Sequence, residues 1–370
     1  MRLLYTVQRY GPEIVGGSEA ACRMFAERLA ARGHDVEVVT SCARRYTDWA
    51  DEYTPGTVVT NGVTVHRLPV ASPRTTEVFG PLNDWTIHGP WPVPLFQQQR
   101  WTRVMGPELI GYRRWMTANA STFDAVIHMT YMYGSTTSGI SVAAGRVPTI
   151  LQPTAHDEPA IWVRNYDTLF RLADAFLFFT PEERDIVRRR FGFEPAGSVT
   201  GIGLEIMDRQ DPTEVRGRFG IGDDPYLVYV GRIDPAKGAV EAWRFFDEYK
   251  RRNPSRLKFV VVGDPVVDLP SCDDLIVAGF LDEADKRAVL AGSLALLQPS
   301  YFESFSIVLC EAWMQSRPAV VQGASDVLRG QALRSSGALP YRGFAQFEAA
   351  VSLLERDPAL ADRLGANGRA

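Results

Sequence analysis

Short apolar segments alternate with helix-forming segments along the chain, and this alternation constrains the fold more than any other feature. In the first repeat, residues 3–7 predict a strand, residues 18–31 an amphipathic helix and residues 35–40 a second strand, which together form a βαβ unit. Further buried strands are predicted at residues 123–129, 147–152, 175–179, 226–230, 258–263, 275–279 and 294–298. Such a pattern is typical of parallel sheets covered by helices, so we expect doubly wound, Rossmann-like α/β domains.

The length of the chain indicates two domains. A single hydrophobic core seldom grows beyond about 250–300 residues, and the chain has 370. Its apolar content of 45% and charged content of 23% are those of an ordinary soluble globular protein, so each domain can have its own core. The polar run at residues 205–214 predicts a linker, which divides the chain into residues 1–205 and residues 206–370.

Charge and cysteine usage narrow the class of protein. The net charge of −4 gives no support to nucleic-acid binding. The four cysteines are scattered without disulfide-framework or metal-ligand spacing, so we expect a reducing cytoplasm. No signal segment is evident at the N-terminus, and no apolar run approaches the ~20 residues that span a bilayer. We therefore expect a chain that is soluble, or at most peripheral to a membrane.

Two acidic residues stand out between residues 299 and 313. An almost wholly apolar helix is predicted at residues 306–315, and Glu311 interrupts it. Glu303 lies in the loop before this helix, where free N–H groups and the helix dipole attract anions. The stretch therefore predicts an anion pocket with hydroxyl acceptors beside it. In a plainer interpretation, Glu303 only favours the dipole and Glu311 pairs with a nearby arginine.

A cationic pair follows another predicted strand. Residues 231–238 connect the strand at 226–230 to a helix that begins near residue 239, and they include Arg232 and Lys237. A forked guanidinium and a compact ammonium at the carboxyl end of a strand suit a diphosphate. The alternative is a solvated turn with surface charges.

Paired glycines and a histidine follow two strands of the N-terminal half. Gly16-Gly17 would let the backbone approach a phosphate or sugar, or would simply form a tight turn. The segment is not a GxGxxG fingerprint, so dinucleotide binding gets little support.

His156 lies at a strand end where doubly wound domains bind ligands, and it could donate to a substrate hydroxyl or stabilise developing charge. In the alternative, Asp157 caps a helix and His156 is incidental.

Residues 79–115 are rich in tryptophan, tyrosine, phenylalanine and arginine. This segment could cover the mouth of an acceptor site or rest on anionic lipid headgroups. The interpretation that we favour over membrane contact is a pair of helices with aromatic residues in the core and solvated arginines. Gly106-Pro107 breaks any single helix there.

The chain resembles the retaining glycosyltransferases of family 4, which have the GT-B fold of two Rossmann-like domains facing a cleft. Glu303 and Glu311 have the spacing of the family's glutamate-x7-glutamate signature, and residues 317–321 stand where members usually have Gly-x-Pro-Val-Val. Arg317 and Ser306, which replaces a common glycine, depart from the pattern. Members usually continue beyond this chain's last residues with a helix that packs onto the N-terminal domain, so the resemblance predicts a missing tail.

The resemblance implies that the C-terminal domain binds a nucleotide-sugar donor and the N-terminal domain an acceptor of unknown identity. The implied donor is a UDP-sugar or a GDP-sugar. The base stays undecided between the two, because no residue distinguishes uracil from guanine. The implied catalytic residues are His156, Glu303, Arg232 and Lys237. The implied donor-binding residues are Gly16, Gly17, Arg232, Lys237, Glu303, Ser304, Phe305, Ser306 and Glu311.

Each implied residue has a role in that scheme. Arg232 and Lys237 clamp the diphosphate together with the backbone amides of Phe305 and Ser306. In the family, the first glutamate and the histidine contact the donor sugar, and the second glutamate takes the ribose hydroxyls.

The resemblance further implies transfer with retention of anomeric configuration. Because no DxD-like acid pair is placed at a strand end, we expect transfer without a metal and without a cofactor. Two other classes stay open: a non-catalytic protein of the same fold that binds a sugar nucleotide as the partner of a transferase, and an epimerase or phosphorylase. Slow hydrolysis of the donor in the absence of acceptor separates an enzyme from a pure binder.

Overall fold

A mainly parallel sheet organises the unit Met1–Gly203, and a parallel sheet organises the unit Leu204–Ala370. The structure is a computed structural model, and it describes residues 1–14, 16–89, 92–234, 237–263, 267, 270 and 272–370. Each sheet has helices in its connections, so the prediction of two doubly wound, Rossmann-like α/β domains is confirmed.

The N-terminal unit has an eight-stranded sheet with the order β3-β4-β2-β1-β5-β6-β7-β8, parallel except for the β3–β4 pair. Its strands are β1 (Arg2–Thr6), β2 (Asp35–Ser41), β3 (Gly56–Thr60), β4 (Val63–Leu68), β5 (Ala125–Met129), β6 (Thr149–Gln152), β7 (Ala175–Phe178) and β8 (Gly197–Val199). Its α-helices are α1 (Gly17–Ala31), α2 (Thr76–His88), α3 (Leu95–Met105), α4 (Tyr112–Asn119), α5 (Gly134–Ala143), α6 (Tyr166–Arg171) and α7 (Pro181–Phe191).

The antiparallel β3–β4 hairpin is closed by Asn61 and Gly62. Both residues have positive φ, 50° and 79°, which is the conformation that a two-residue hairpin turn matching the strand twist requires. Asn and Gly adopt it at low cost, and the sequence therefore predicts this turn without further information.

The aromatic segment at residues 79–115 contributes to three helices, α2, α3 and α4. Trp101 and Tyr112 are almost fully buried in the core, as the helical interpretation requires. Trp85 and Phe96, by contrast, are 44% and 67% exposed, so not every aromatic residue of this segment is a core residue.

The C-terminal unit has a six-stranded sheet with the order β11-β10-β9-β12-β13-β14, and all its pairs are parallel. Its strands are β9 (Tyr226–Val230), β10 (Lys258–Val262), β11 (Leu275–Gly279), β12 (Ala295–Gln298), β13 (Ala319–Gln322) and β14 (Ala338–Tyr341). Its helices are α8 (Thr213–Arg218), α9 (Ala239–Arg252), α10 (Glu283–Gly292), α11 (Ile307–Met314), α12 (Asp326–Ser335), α13 (Phe344–Arg356) and α14 (Pro358–Arg369).

Helix α14 is an element that the sequence analysis did not predict. Asp357 caps its N-terminus by accepting from the Leu360 N–H, and Pro358 occupies the first helical position. Both are ordinary start signals for a helix. The helix packs against α11, and Gly365 permits that contact because a Cβ there would lie 2.1 Å from the Ser316 carbonyl oxygen.

The strand order of each sheet reverses at one point. In the N-terminal sheet this point lies between β1 and β5, and in the C-terminal sheet between β9 and β12. Ligands of doubly wound sheets bind in the crevice beyond the carboxyl ends of the strands at such a reversal. The loops after these four strands are therefore where side chains with chemical roles are expected.

Candidate functional site

The reversal point of the C-terminal sheet brings Lys237 and Glu303 together. Lys237 follows β9 and Glu303 follows the neighbouring strand β12, and Lys237 Nζ lies 3.0 Å from Glu303 Oε1. Lys237 is 39% exposed and Glu303 is 13% exposed, so the ammonium remains accessible to a ligand. The pair lies just before the N-terminus of α11, where anions are favoured.

The two loops approach each other closely enough that Gly238 is required. Gly238 has φ of 74°, and a Cβ at this position would lie 2.4 Å from the Pro299 carbonyl oxygen. A side chain would therefore both strain the backbone and push the loops apart. Pro235 and Ala236, which belong to the predicted motif, lie outside the described residues.

Arg232 lies on the same loop as Lys237 and contacts a different acid. Its Nε is 3.2 Å from Asp234 Oδ2, and its side chain is 37% exposed. The hydroxyl of Tyr229 donates to the Arg232 carbonyl at 2.6 Å, which anchors the loop to the end of β9.

Polar side chains surround the first residues of α11. The Gln298 amide donates to Ser306 Oγ at 3.0 Å, and the Ser306 N–H is directed at Gln331 Oε1 at 3.4 Å. All three residues are at least 93% buried. The serine that replaces the family's usual glycine thus has its own partners. A diphosphate that used the Ser306 amide would have to displace Gln331, a residue that the sequence analysis did not single out.

Glu311 is held by a lysine. Lys286 Nζ, on α10, lies 2.9 Å from Glu311 Oε1 and 2.8 Å from Glu283 Oε1. Burial opposes the charge of Lys286, but Glu311 and Glu283 outweigh it and raise the pKa of the ammonium above its ordinary value. The interpretation that Glu311 pairs with an arginine is wrong in the identity of its partner. Lys286 is one of only four lysines in the chain. This rarity was the sequence signal that could have pointed to Lys286 as a partner of Glu311.

Arg317, the other departure from the family pattern, has a structural contact. Its Nε donates to the Ala291 carbonyl near the end of α10 at 2.6 Å. Burial lowers the pKa of its guanidinium. The arginine side chain thus gives a hydrogen bond to a carbonyl group near the end of a helix, and a glycine has no side chain that could do so.

A buried ion pair supports the Gly16-Gly17 loop at the reversal point of the N-terminal sheet. Arg9 Nη2 lies 2.5 Å from Glu19 Oε1, and both side chains are more than 90% buried. Ser18 Oγ donates to the other oxygen of Glu19 at 2.8 Å. The sequence analysis did not assign Arg9 or Glu19 to the site, and only the fold shows that they are buried against each other.

His156 follows β6, at the carboxyl edge of the N-terminal sheet. Its Nδ1 lies 3.3 Å from Glu158 Oε1. The alternative in which Asp157 caps a helix is wrong, because Asp157 accepts from Trp162 Nε1 and from Arg189. Glu183, another buried acid, accepts from the Ala155 N–H next to His156 at 2.8 Å.

The described part of the chain shows neither a metal cluster nor a membrane-spanning helix. Among those residues, no three histidine, cysteine, aspartate or glutamate side chains gather in a way that could hold a metal ion. No helix in the same ranges has the length and apolar content needed to cross a bilayer.

Two family models together match nearly all of the chain. A glycosyl transferase 4-like domain matches residues 16–200, and a domain of the glycosyl transferases group 1 matches residues 211–370. The first model alone covers half of the chain.

Individual proteins also resemble the chain, over different shares of its length. Alpha-D-kanosaminyltransferase of Streptomyces kanamyceticus is 29% identical over 239 residues, which span 60% of this chain and 60% of that enzyme. D-inositol 3-phosphate glycosyltransferase of Streptomyces bingchenggensis is 25% identical over 382 residues, which span 95% and 79%. The crystal structure of Anabaena HepE in complex with UDP-glucose superposes with a TM-score of 0.70 at 14% identity, covering 100% of this chain and 94% of that one.

Proposed function

Because the chain belongs to the glycosyltransferases that join a glycosyl transferase 4-like domain to a group 1 domain in the GT-B fold, we propose that it moves a sugar from a nucleotide-diphosphate sugar to a hydroxyl acceptor. The observation that carries this proposal is the contact of Lys237 with Glu303 at the reversal point of the C-terminal sheet. In this proposal, Lys237 is the cation that binds the diphosphate, and the adjacent Glu303 is the carboxylate that accepts from sugar hydroxyls. HepE, of the same fold, was crystallised with UDP-glucose, which supports a nucleotide-sugar donor.

In this proposal the diphosphate is bound by protein cations instead of a metal ion. Lys237 and Arg232 are each more than a third exposed, so both charges can reach a ligand. As the bond from the anomeric carbon to the diphosphate oxygen breaks, negative charge grows on the leaving group. Fixed positive groups at that position stabilise the transition state more than the ground state.

The two glutamates of the signature take hydroxyl groups of the donor. Glu303 accepts from the sugar once Lys237 turns towards the diphosphate. Lys286 contacts Oε1 of Glu311, and in this proposal Oε2 accepts from the ribose hydroxyls. An ionised carboxylate is an acceptor with two oxygens, so Glu311 can serve both partners at once.

We expect retention of anomeric configuration, as the family resemblance implies. The acceptor oxygen attacks the anomeric carbon on the face from which the diphosphate leaves, and a leaving phosphate oxygen takes the acceptor's proton. In this proposal, His156 also orients the sugar. Anomeric analysis of the product by NMR tests this step, since an inverted product would exclude it.

The variant that tests the proposal is Lys237→Gln. Removing one preorganised positive group from a developing charge is expected to lower kcat roughly 10²- to 10³-fold. The measurement is steady-state transfer from the donor that binds best, with and without a metal chelator.

Lys258→Gln is the matched control, because Lys258 lies on β10 with Asp224 at 3.7 Å as its partner. It should leave kcat within about twofold of the native value, since Lys258 begins β10 and so lies at the edge of the parallel sheet opposite the strand ends that carry Lys237. Full activity of Lys237→Gln would refute the diphosphate role, and loss of activity on chelation would refute transfer without a metal.

A further inference from the structure

His156 and Glu158 are brought together by a tight turn. The Glu158 N–H donates to the His156 carbonyl at 2.8 Å, so the chain reverses across the single residue Asp157. This reversal sets Glu158 Oε1 3.3 Å from His156 Nδ1. The side chains are 19% and 24% exposed, so most of each is shielded from water. The contact does not have hydrogen-bond geometry as it stands, so a small rotation of the imidazole aligns Nδ1–H with Oε1 when the carboxylate fixes which nitrogen carries the proton.

Tyr131 holds the same carboxylate oxygen from the other side. Its hydroxyl donates to Glu158 Oε1 at 3.1 Å. Tyr131 follows β5 and is 1% exposed, and its ring packs edge-on against Tyr166 with centroids 4.8 Å apart. A phenol packed in this way has one available orientation, so it holds the position of Glu158 instead of following it.

The backbone under His156 is pinned as well. Thr154 and Thr130 both have positive φ, 51° and 66°, and their hydroxyls are 3.1 Å apart across the ends of β6 and β5. Ala155 donates its N–H to the fully buried Glu183 at 2.8 Å. Residues in sparsely populated φ regions persist only where their surroundings determine them, and they cluster at functional sites.

We propose that Glu158 is a positioning residue for transfer: held by Tyr131, it accepts a hydrogen bond from the Nδ1–H of His156, which leaves Nε2 as the nitrogen that meets the substrate hydroxyl. This inference rests on the proposed function, in which His156 orients the sugar. With the proton on Nδ1, Nε2 carries the lone pair and accepts from the hydroxyl. The arrangement resembles in principle the way outer carboxylates orient histidines at other reactive centres.

The first experiment reads the ring directly and needs no substrate. Nitrogen-15 NMR of the histidines distinguishes the two neutral tautomers, and the chain has only five histidines to assign. In the native protein, we expect His156 as the Nδ1–H tautomer. In Glu158→Ala, we expect the fraction of that tautomer to fall in favour of Nε2–H. An unchanged tautomer in Glu158→Ala overturns the proposal, whether or not transfer activity has been found.

The second experiment measures kinetics on the full chain. Losing a charge-assisted hydrogen bond predicts a fall in kcat/KM of roughly 10- to 100-fold for Glu158→Ala. Tyr131→Phe removes a single hydroxyl, so a fall of about 3- to 10-fold is expected. Asp157→Asn is the control, because this neighbouring carboxylate is bound to Trp162 and Arg189. It should stay within about twofold of native.

The outcomes separate the two proposals. Native transfer with full activity of Glu158→Ala and Tyr131→Phe overturns the positioning role and leaves the proposed function standing. A native protein that transfers no sugar from any donor refutes the proposed function, and the tautomer experiment then still decides how Glu158 acts on His156.

Discussion

Gly16 and Gly17 are adjacent, yet a side chain would meet different surroundings at each position. A Cβ at Gly16 would lie 2.4 Å from Glu19 Oε2 and 3.1 Å from Arg9 Nη2, whereas a Cβ at Gly17 would meet nothing within 4 Å. The buried Arg9–Glu19 pair therefore explains the first glycine. Nothing in the described surroundings requires the second, so the expectation that Gly17 faces the donor still rests on the family resemblance.

This difference predicts opposite results for two alanine variants. Gly16→Ala should lower the free energy of unfolding by about 1–3 kcal/mol, because it forces the ion pair apart. Gly17→Ala should keep native stability, since alanine suits the first turn of a helix, and should raise KM for the donor. Urea unfolding and steady-state kinetics measure the two effects. Native KM in Gly17→Ala would remove this loop from the donor site.

Lys286 and Glu311 are both about five-sixths buried and so depend on each other. Lys286→Met is expected to lower the free energy of unfolding by roughly 2–4 kcal/mol, because it leaves a buried carboxylate without its cation. Adding Glu311→Met should restore most of that loss but not donor binding. Chemical denaturation of the two single variants and the double variant provides the cycle. Additive losses would show that the pair is not coupled.

Among the elements, β6 and β7 are joined beyond their carboxyl ends by one buried acid at the start of α7. Glu183 accepts from the Ala155 N–H at 2.8 Å and from the Phe179 N–H at 2.6 Å. Burial outweighs these backbone donors and raises the pKa of Glu183 to about 8. The stability of this connection between the two strand ends therefore depends on whether the Glu183 carboxyl group is protonated.

The sign of the resulting pH dependence follows from linkage. The pKa of Glu183 is raised from 4.5 to about 8 on folding, so its contribution to stability is complete below 4.5 and is lost as pH rises through 8. The loss is about 1.4 kcal/mol per pH unit within that window. Unfolding of Glu183→Gln at pH 5.5, 6.5 and 7.5 should lack this slope. The neighbouring Glu182→Gln should keep it, and equal slopes in all three proteins would contradict the assignment.

For the whole molecule, the binding of the donor is the property that can be measured most directly. At one hundred times its Kd, a ligand adds about 2.7 kcal/mol to the stability of the folded state, or roughly 5–10 °C in Tm for a unit of this size. We expect a UDP- or GDP-sugar to give such a shift, without added metal and unchanged by chelator. A thermal-shift panel that includes ADP-sugars measures it. A shift seen only with a divalent cation would refute binding by protein cations alone.

Much of the architecture follows from local pattern. The alternation of strands and helices, the Asn61-Gly62 turn and the Thr180 cap of α7 are each encoded within a few residues. The signature acids and the cations after β9 were predicted for the same reason. Two partners in the site were not, because Lys286 lies on α10 and Gln331 on α12, and only the folded sheet brings these helices next to α11 and its first residues.

The close approach of the loops after β9 and β12 has a consequence for altering this protein. At Gly238 the chain has no room for any side chain against Pro299, and at Gly263 a Cβ would lie 2.1 Å from the Gly231 carbonyl. Libraries that randomise these loops should keep both positions constant. Variation must then come from residues whose side chains already have free space, which reduces the number of positions that can be randomised.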